Sequence, residues 1–230
     1  MFNYLAFVCG GVDAPGRREG DDGAEMAEKC LRRLEETGAP EQFPPRLLIL
    51  LTSPAYDDAG SIKRMISGIR QAVSDHKSRT CAEVETQSAE VPLIGGSVEA
   101  VFFDRRIHDR GALLVCLASR LIEAEAHVSA DVHNDHEAAV DGLLRELGLS
   151  ILDADRPPRI PLTVRMLLSF LPNVSSRDEK ASYLTPELHR LLLQKARTRI
   201  QLVGGVSSSP GFQFAGAEVY RDRIVVASVF

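Results

Sequence analysis

The chain has 230 residues, 44% of them hydrophobic and 26% charged, with a formal net charge of −5. This balance fits a folded globular chain of one large domain or two small ones, and it speaks against a broad nucleic-acid surface. Cys9, Cys30, Cys81 and Cys116 form no CxxC pair, which excludes a sequence-local zinc clip and suits reduced core thiols in a cytoplasmic protein.

Tyr4 to Cys9 reads as a buried strand that ends at Gly10-Gly11. No basic segment precedes it, so it is not read as a signal peptide. A polar, glycine-rich loop runs to Gly23, and Ala24 to Glu36 follows as a helix with Ala27, Cys30, Leu31 and Leu34 on one face. Arg46 to Thr52 is unbroken apolar, as in a strand covered on both faces. It ends at Ser53-Pro54-Ala55-Tyr56-Asp57-Asp58. Polar side chains just past a central strand lie where open α/β sheets place ligands, or else they cap the next helix. That helix spans Ala59 to Ser74, with an exposed loop from His76 to Glu90.

Val91 to Ser97 follows as an apolar strand running into the turn Gly95-Gly96. Val98–Phe103 and Gly111–Ala118 form a hairpin around the charged turn Asp104 to Arg110. Glu123 to Asp131 alternates as a half-buried strand, and Asn134 or Asp135 caps a helix reaching Leu147. Leu149 to Pro161 is a linker, Leu162 to Leu171 a strand, and Pro172 to Lys180 a polar loop. Thr185-Pro186-Glu187 opens a last helix. Ile200 to Val206 leads into a second turn, Gly204-Gly205, and two strands close the chain. No apolar run approaches the roughly 18 residues of a membrane span.

The halves share an order: apolar strand, helix, strand into Gly-Gly, hairpin. It predicts an internal duplication within one domain over 1–230, with repeat units near 40–150 and 160–230. The predicted fold is α/β: two related units with mixed sheets and packed helices. Paired glycine turns leave room for a ligand to approach the backbone. The predicted ligand site is therefore Gly95, Gly96 and Ser97 with Gly204, Gly205 and Val206, and Ser53 and Tyr56 nearby as donors.

Four stretches carry a family likeness: Leu47 to Asp57, Pro92 to Ser97, the hairpin to Leu113–Ala118, and Leu202 to Gly205 with the closing hairpin. Val8-Cys9-Gly10 adds to them. On these the chain resembles the N-terminal part of the FIST domain family. The resemblance implies an intracellular sensory module for small ligands such as amino acids, placed before a signalling output domain or joined to F-box segments. The family pattern continues into a C-terminal FIST half, so the chain is expected to be a fragment or a shortened member.

Other chemistry is weaker. His127, Asp131, His133, Asp135 and His136 form the densest metal-type cluster, but they also read as a strand edge leading into a capped helix, and no metal is expected. Ser53, Ser97, Cys9 and Cys116 are the nucleophile candidates, and none sits in a G-x-S-x-G elbow. Arg105, Arg106 and Arg110 suit a carboxylate ligand or a solvated turn. Neither glycine pair belongs to a nucleotide-binding motif, and no cofactor is expected. The leading expectation is a cytoplasmic small-ligand sensory domain. A protein–protein adaptor of the F-box receptor kind is the alternative, and a hydrolase-like enzyme comes third.

Overall fold

The computed structural model describes residues 6–13, 18–37, 44–56, 58–80, 90–150, 166–172, 184–196, 200–208 and 211–230. In chain order these form β1 (Ala6–Asp13), α1 (Glu19–Thr37), β2 (Pro45–Thr52), α2 (Ala59–Thr80), β3 (Leu93–Ser97), β4 (Val101–Phe103), β5 (Arg106–His108) and β6 (Gly111–Ala118). Then come β7 (Ala124–Asp131), α3 (His136–Glu146), β8 (Met166–Leu171), α4 (Leu184–Lys195), β9 (Gln201–Val206), β10 (Gln213–Ala215), β11 (Glu218–Tyr220) and β12 (Arg223–Val229). The class is α/β, as expected. The chain falls into two compact units. The first is Met1–Leu93, Ser97–Ile122 and Ala217–Val219; the second is Ile94–Gly96, Glu123–Gly216 and Tyr220–Phe230.

In the first unit β6 is the central strand. It pairs antiparallel with β1, Ala6 opposite Ala118 through Asp13 opposite Gly111. On its other side it pairs antiparallel with β2, Leu48 opposite Cys116 and Thr52 opposite Ala112. The unbroken apolar sequence of both strands follows from this burial: Leu47, Leu50, Ala112, Leu114 and Cys116 are fully covered. Hydrogen bonds from Leu48 N–H to Pro92 O (2.9 Å) and from Val98 N–H to Thr52 O (2.8 Å) bracket β3. The β4–β5 hairpin closes through Asp104 and Arg105, both at positive φ (48° and 62°).

Three expectations from the sequence are corrected here. The glycine pairs are not turns. Gly10-Gly11 lies inside β1, Gly95-Gly96 inside β3 and Gly204-Gly205 inside β9. At Gly10 and Gly204 the reason is close approach: a Cβ at Gly10 would fall 2.4 Å from Met26 O on α1, and one at Gly204 1.8 Å from Ser169 O on β8. Second, α1 begins at Glu19 rather than Ala24, so Gly20 and Gly23 are helical. Gly23 is there because α1 and α2 touch backbone to backbone, and Gly20 offers its bare backbone to Gly68. A Cβ at Gly23 would sit 2.1 Å from Met65 O, and one at Gly68 1.9 Å from Gly20 O. The acidic first turn of Glu19, Asp21 and Asp22 suits the positive end of the helix dipole. Third, α2 continues past Ser74 to Thr80, and its basic last turn, Lys77 and Arg79, suits the negative end.

The second unit orders its strands β7-β12-β8-β9. β12 is antiparallel to β7 and β8, and β8 is parallel to β9. The middle of β3 pairs antiparallel with β10, Gly95 opposite Phe214. Asp135 caps α3, accepting from Ala138 N–H, and Gly148 follows its end at φ 65°. Leu143, Leu144, Leu167, Leu188, Leu192 and Val226 are among its core residues. The expected linker after Ser150 and the loop from Asn173 to Lys180 lie outside the described residues, as does Cys81. Element order recurs between halves: β1-α1-β2-α2-β3-β4-β5-β6 is followed by β7-α3-β8-α4-β9-β10-β11-β12. Pairing recurs too, since β1-β6-β2 matches β7-β12-β8 in both order and direction.

Two buried thiols carry a pH prediction. Burial pushes the Cys116 thiol up to about 12, and it also raises Cys30, with the nearby Cys116 and Cys9 adding to the rise. An unfolded thiol titrates near about 8.5, so this part of the stability is fully present below that pH and is lost as the pH rises toward 12. Each thiol contributes a slope of up to about 1.4 kcal/mol per pH unit. Urea midpoints measured from pH 7 to 11 should fall above about pH 8.5. The fall should be shallower in a Cys30→Ala, Cys116→Ala double variant; equal slopes would refute the assignment.

Candidate functional site

In the first unit a cleft of about 520 Å³ opens where the end of β1, the outer face of α1 and the β4–β5 hairpin meet. β1 delivers Gly11, Val12 and Asp13; α1 delivers Asp22, Glu25 and Lys29 at helical spacing; the hairpin delivers Phe103, Asp104, Arg106 and His108. The Phe103 and His108 rings stack with centroids 3.8 Å apart and planes 7° from parallel. His108 Nδ1 lies 3.1 Å from Asp13 Oδ1. The carboxylate fixes the ring orientation and puts the proton of the neutral ring on Nδ1. Nε2 is left as the acceptor; it is buried and has no hydrogen-bond partner.

The rest of the cleft is charged. Lys29 Nζ donates to Gly11 O at 2.8 Å and pairs with Glu25 at 2.8 Å. Asp22 is buried and accepts from the Tyr56 hydroxyl at 3.0 Å. Burial, followed by the Asp22 charge, pushes the Tyr56 hydroxyl well above its ordinary value, so it stays a donor. The carboxylates Asp13, Asp22, Glu25 and Asp104 outnumber the cations Lys29 and Arg106. Such a cleft favours an amine, while Lys29 and Arg106 can take an anionic group.

The residues expected to bind ligand fall elsewhere. Ser53 is buried and clamps the start of β6: its N–H donates to Gly111 O (2.9 Å) and its Oγ accepts from Gly111 N–H (2.8 Å). Tyr56 reaches the cleft only through Asp22. Ser97 is buried at the end of β3. Gly95 and Gly96 are buried in the same strand, and a Cβ at Gly96 would meet the Phe170 ring and Ser207 Oγ, each at 3.0 Å. Space at Gly96 is therefore filled by packing. Gly204, Gly205 and Val206 do line a cleft, of about 390 Å³, in the second unit, with Ser169, Leu171, Pro186, His189 and Leu202. There a Cβ at Gly205 would meet nothing within 4 Å.

The histidine cluster separates. His127 pairs with Glu146 at 3.0 Å, His133 with Asp222 at 3.2 Å, and Asp135 caps α3. Of the arginine run, Arg106 lines the first cleft and Arg105 sits in the tight turn. Asp13, Asp22, Glu25, Lys29 and His108 were not singled out from sequence. Their signal was the i, i+3, i+7 spacing of Asp22, Glu25 and Lys29, which shows only once α1 is started at Glu19.

The family model described as FIST N domain matches residues 70–230. No curated protein matches the chain. The matched span takes in β3 to β12, with three of the four stretches that carry the resemblance; Leu47–Asp57 and Val8–Gly10 precede it. It covers well over half of the chain, and the chain belongs to the FIST domain family.

Proposed function

We propose that the chain is the small-ligand sensory domain of a signalling protein and that the cleft around His108 holds the ligand. Family membership supports the sensory, ligand-binding role. The observation that carries the site is the charged cleft itself, with His108 held in its wall by Asp13 and stacked on Phe103. Asp22, Glu25 and Asp104 suit the ammonium of an amino-acid-like ligand, and Lys29 and Arg106 suit its carboxylate. The reading is of a binding module rather than a catalyst. It places the chain in the cytoplasm, with a signalling output domain or a C-terminal FIST half as partner. Among the described residues no helix is long and apolar enough to cross a membrane.

A second reading, the adaptor, draws on β9. It is the edge strand of its sheet among the described residues, with Val203 49% and Val206 46% exposed. Such an edge can accept a strand from a partner.

Thermal-shift screening with amino acids and simple amines tests the first reading. A ligand at a hundredfold excess over its Kd stabilises by about 2.7 kcal/mol, or roughly 5–10 °C for a domain of this size. The shift should vanish in His108→Ala and survive in Gly205→Val. A shift that survives His108→Ala and vanishes in Gly205→Val would move the site to β9.

A further inference from the structure

A different cleft of the first unit, also about 520 Å³, runs along α2 and over β2. Lys63, Arg70 and Lys77 recur along it at a heptad interval, which keeps them on one helix face, and Ser67 and Ser74 stand between them. Its floor is apolar: Leu48, Ile66, Val73 and Val91 are all buried there. Two of the cations are braced by carboxylates. Lys63 Nζ lies 2.7 Å from Glu218, and Arg70 pairs through one terminal nitrogen with Glu90. Arg70 Nε is buried from solvent and has no acceptor. A guanidinium N–H in that state calls for an oxygen that the described residues do not supply. Three cations, Lys63, Arg70 and Lys77, gather here against two carboxylates, Glu90 on the lining and Glu218 beside Lys63, in a chain whose net charge is −5.

We infer that this groove binds an amphiphilic anion: a carboxylate or phosphate head carried on an aliphatic body. The head takes the Arg70 guanidinium over from Glu90, flanked by Lys63 or Lys77 and by the Ser67 or Ser74 hydroxyl. The body lies on Leu48, Ile66, Val73 and Val91. Guanidinium suits either head, since its planar donors match both geometries. Glu90 is 60% exposed at its side chain, so it can give up the Arg70 guanidinium to the arriving anion and turn to water. The inference rests on neither the His108 cleft nor its ligand.

Calorimetric titration of the whole chain tests it with four probes: octanoate, octyl phosphate, octanol and inorganic phosphate. Octanoate or octyl phosphate should bind saturably, and the tighter of the two names the head group. Octanol and inorganic phosphate should each bind at least about tenfold more weakly, because each lacks half of the recognition. Arg70→Gln should weaken the tighter anion by about tenfold or more. Ser67→Trp, at an exposed position, should block the groove with the fold intact and abolish binding. Binding of octanol equal to octanoate, binding of inorganic phosphate equal to octyl phosphate, saturation by none of the four, or full affinity in Ser67→Trp would each overturn the inference.

Discussion

Gly68→Val should lower the stability of the chain by about 3 kcal/mol or more, the upper end of the overpacking range. The added Cβ would fall 1.9 Å from Gly20 O and 2.9 Å from Gly20 C. Both are backbone atoms of the neighbouring helix, so no side-chain rotation relieves the clash. Only parting α1 from α2 does, and both helices carry fully buried residues, Met26 and Ala27 on α1 and Met65 and Ile69 on α2. Gly23→Val attacks the same contact from the other helix. Gly142→Ala on α3 is the control, since its Cβ would meet nothing within 4 Å. There alanine's better helix propensity should raise stability by about 0.5–1 kcal/mol. Urea midpoints measure both, and a Gly68→Val chain with the wild-type midpoint would disprove the backbone contact.

The second large effect is expected on β9, where adjacent glycines should behave in opposite ways. A Cβ at Gly204 would fall 1.8 Å from Ser169 O and 2.8 Å from Ser169 N. Ser169 is its register partner on β8, so even Gly204→Ala has to break the parallel ladder. About 3 kcal/mol is expected here too. Gly205 projects into open space, and valine there gains strand propensity and loses unfolded-state entropy. Gly205→Val should be neutral or raise stability by up to about 1 kcal/mol. Thermal unfolding of the two variants side by side decides it. Equal effects at both positions would mean that the two glycines serve one role, as a turn would require.

Those glycines also show what a single sequence displays and what it hides. Apolar period located α2, α3 and the buried strands β2 and β6, because burial on one or two faces writes itself directly into residue order. Glycine does not carry its reason with it. At Gly10, Gly23 and Gly204 the cause is a backbone elsewhere in the chain standing about 2 Å from the missing Cβ, which has the same sequence appearance as a turn. Taking Gly20 and Gly23 for a loop shortened α1 and hid the Asp22, Glu25, Lys29 face. Ser53 and Tyr56 stand just past the end of the buried strand β2. Their hydroxyls serve Gly111 and Asp22, partners far along the chain that no local pattern reveals. Asp13 and His108 meet only because β1 pairs with β6 and the β4–β5 hairpin folds back beside it. The family likeness was legible because it lay in the order of stretches, which needs no tertiary knowledge.

The bare helix crossing at Gly20, Gly23 and Gly68 has a mechanical meaning. Packed helices slide past each other when interdigitated side chains change rotamer and absorb the shift. Where Gly23 and Gly68 meet the facing backbone there is no side chain to act as such a cushion, so a slide at those points has no rotamer change to absorb it. One helix carries Asp22, Glu25 and Lys29, and the other carries Lys63, Arg70 and Lys77. If an occupant of one cleft shifts its helix, the shared backbone contact hands that shift to the other helix. Free-energy linkage makes the traffic reciprocal: whatever one cleft does to the affinity of the other is returned in equal measure.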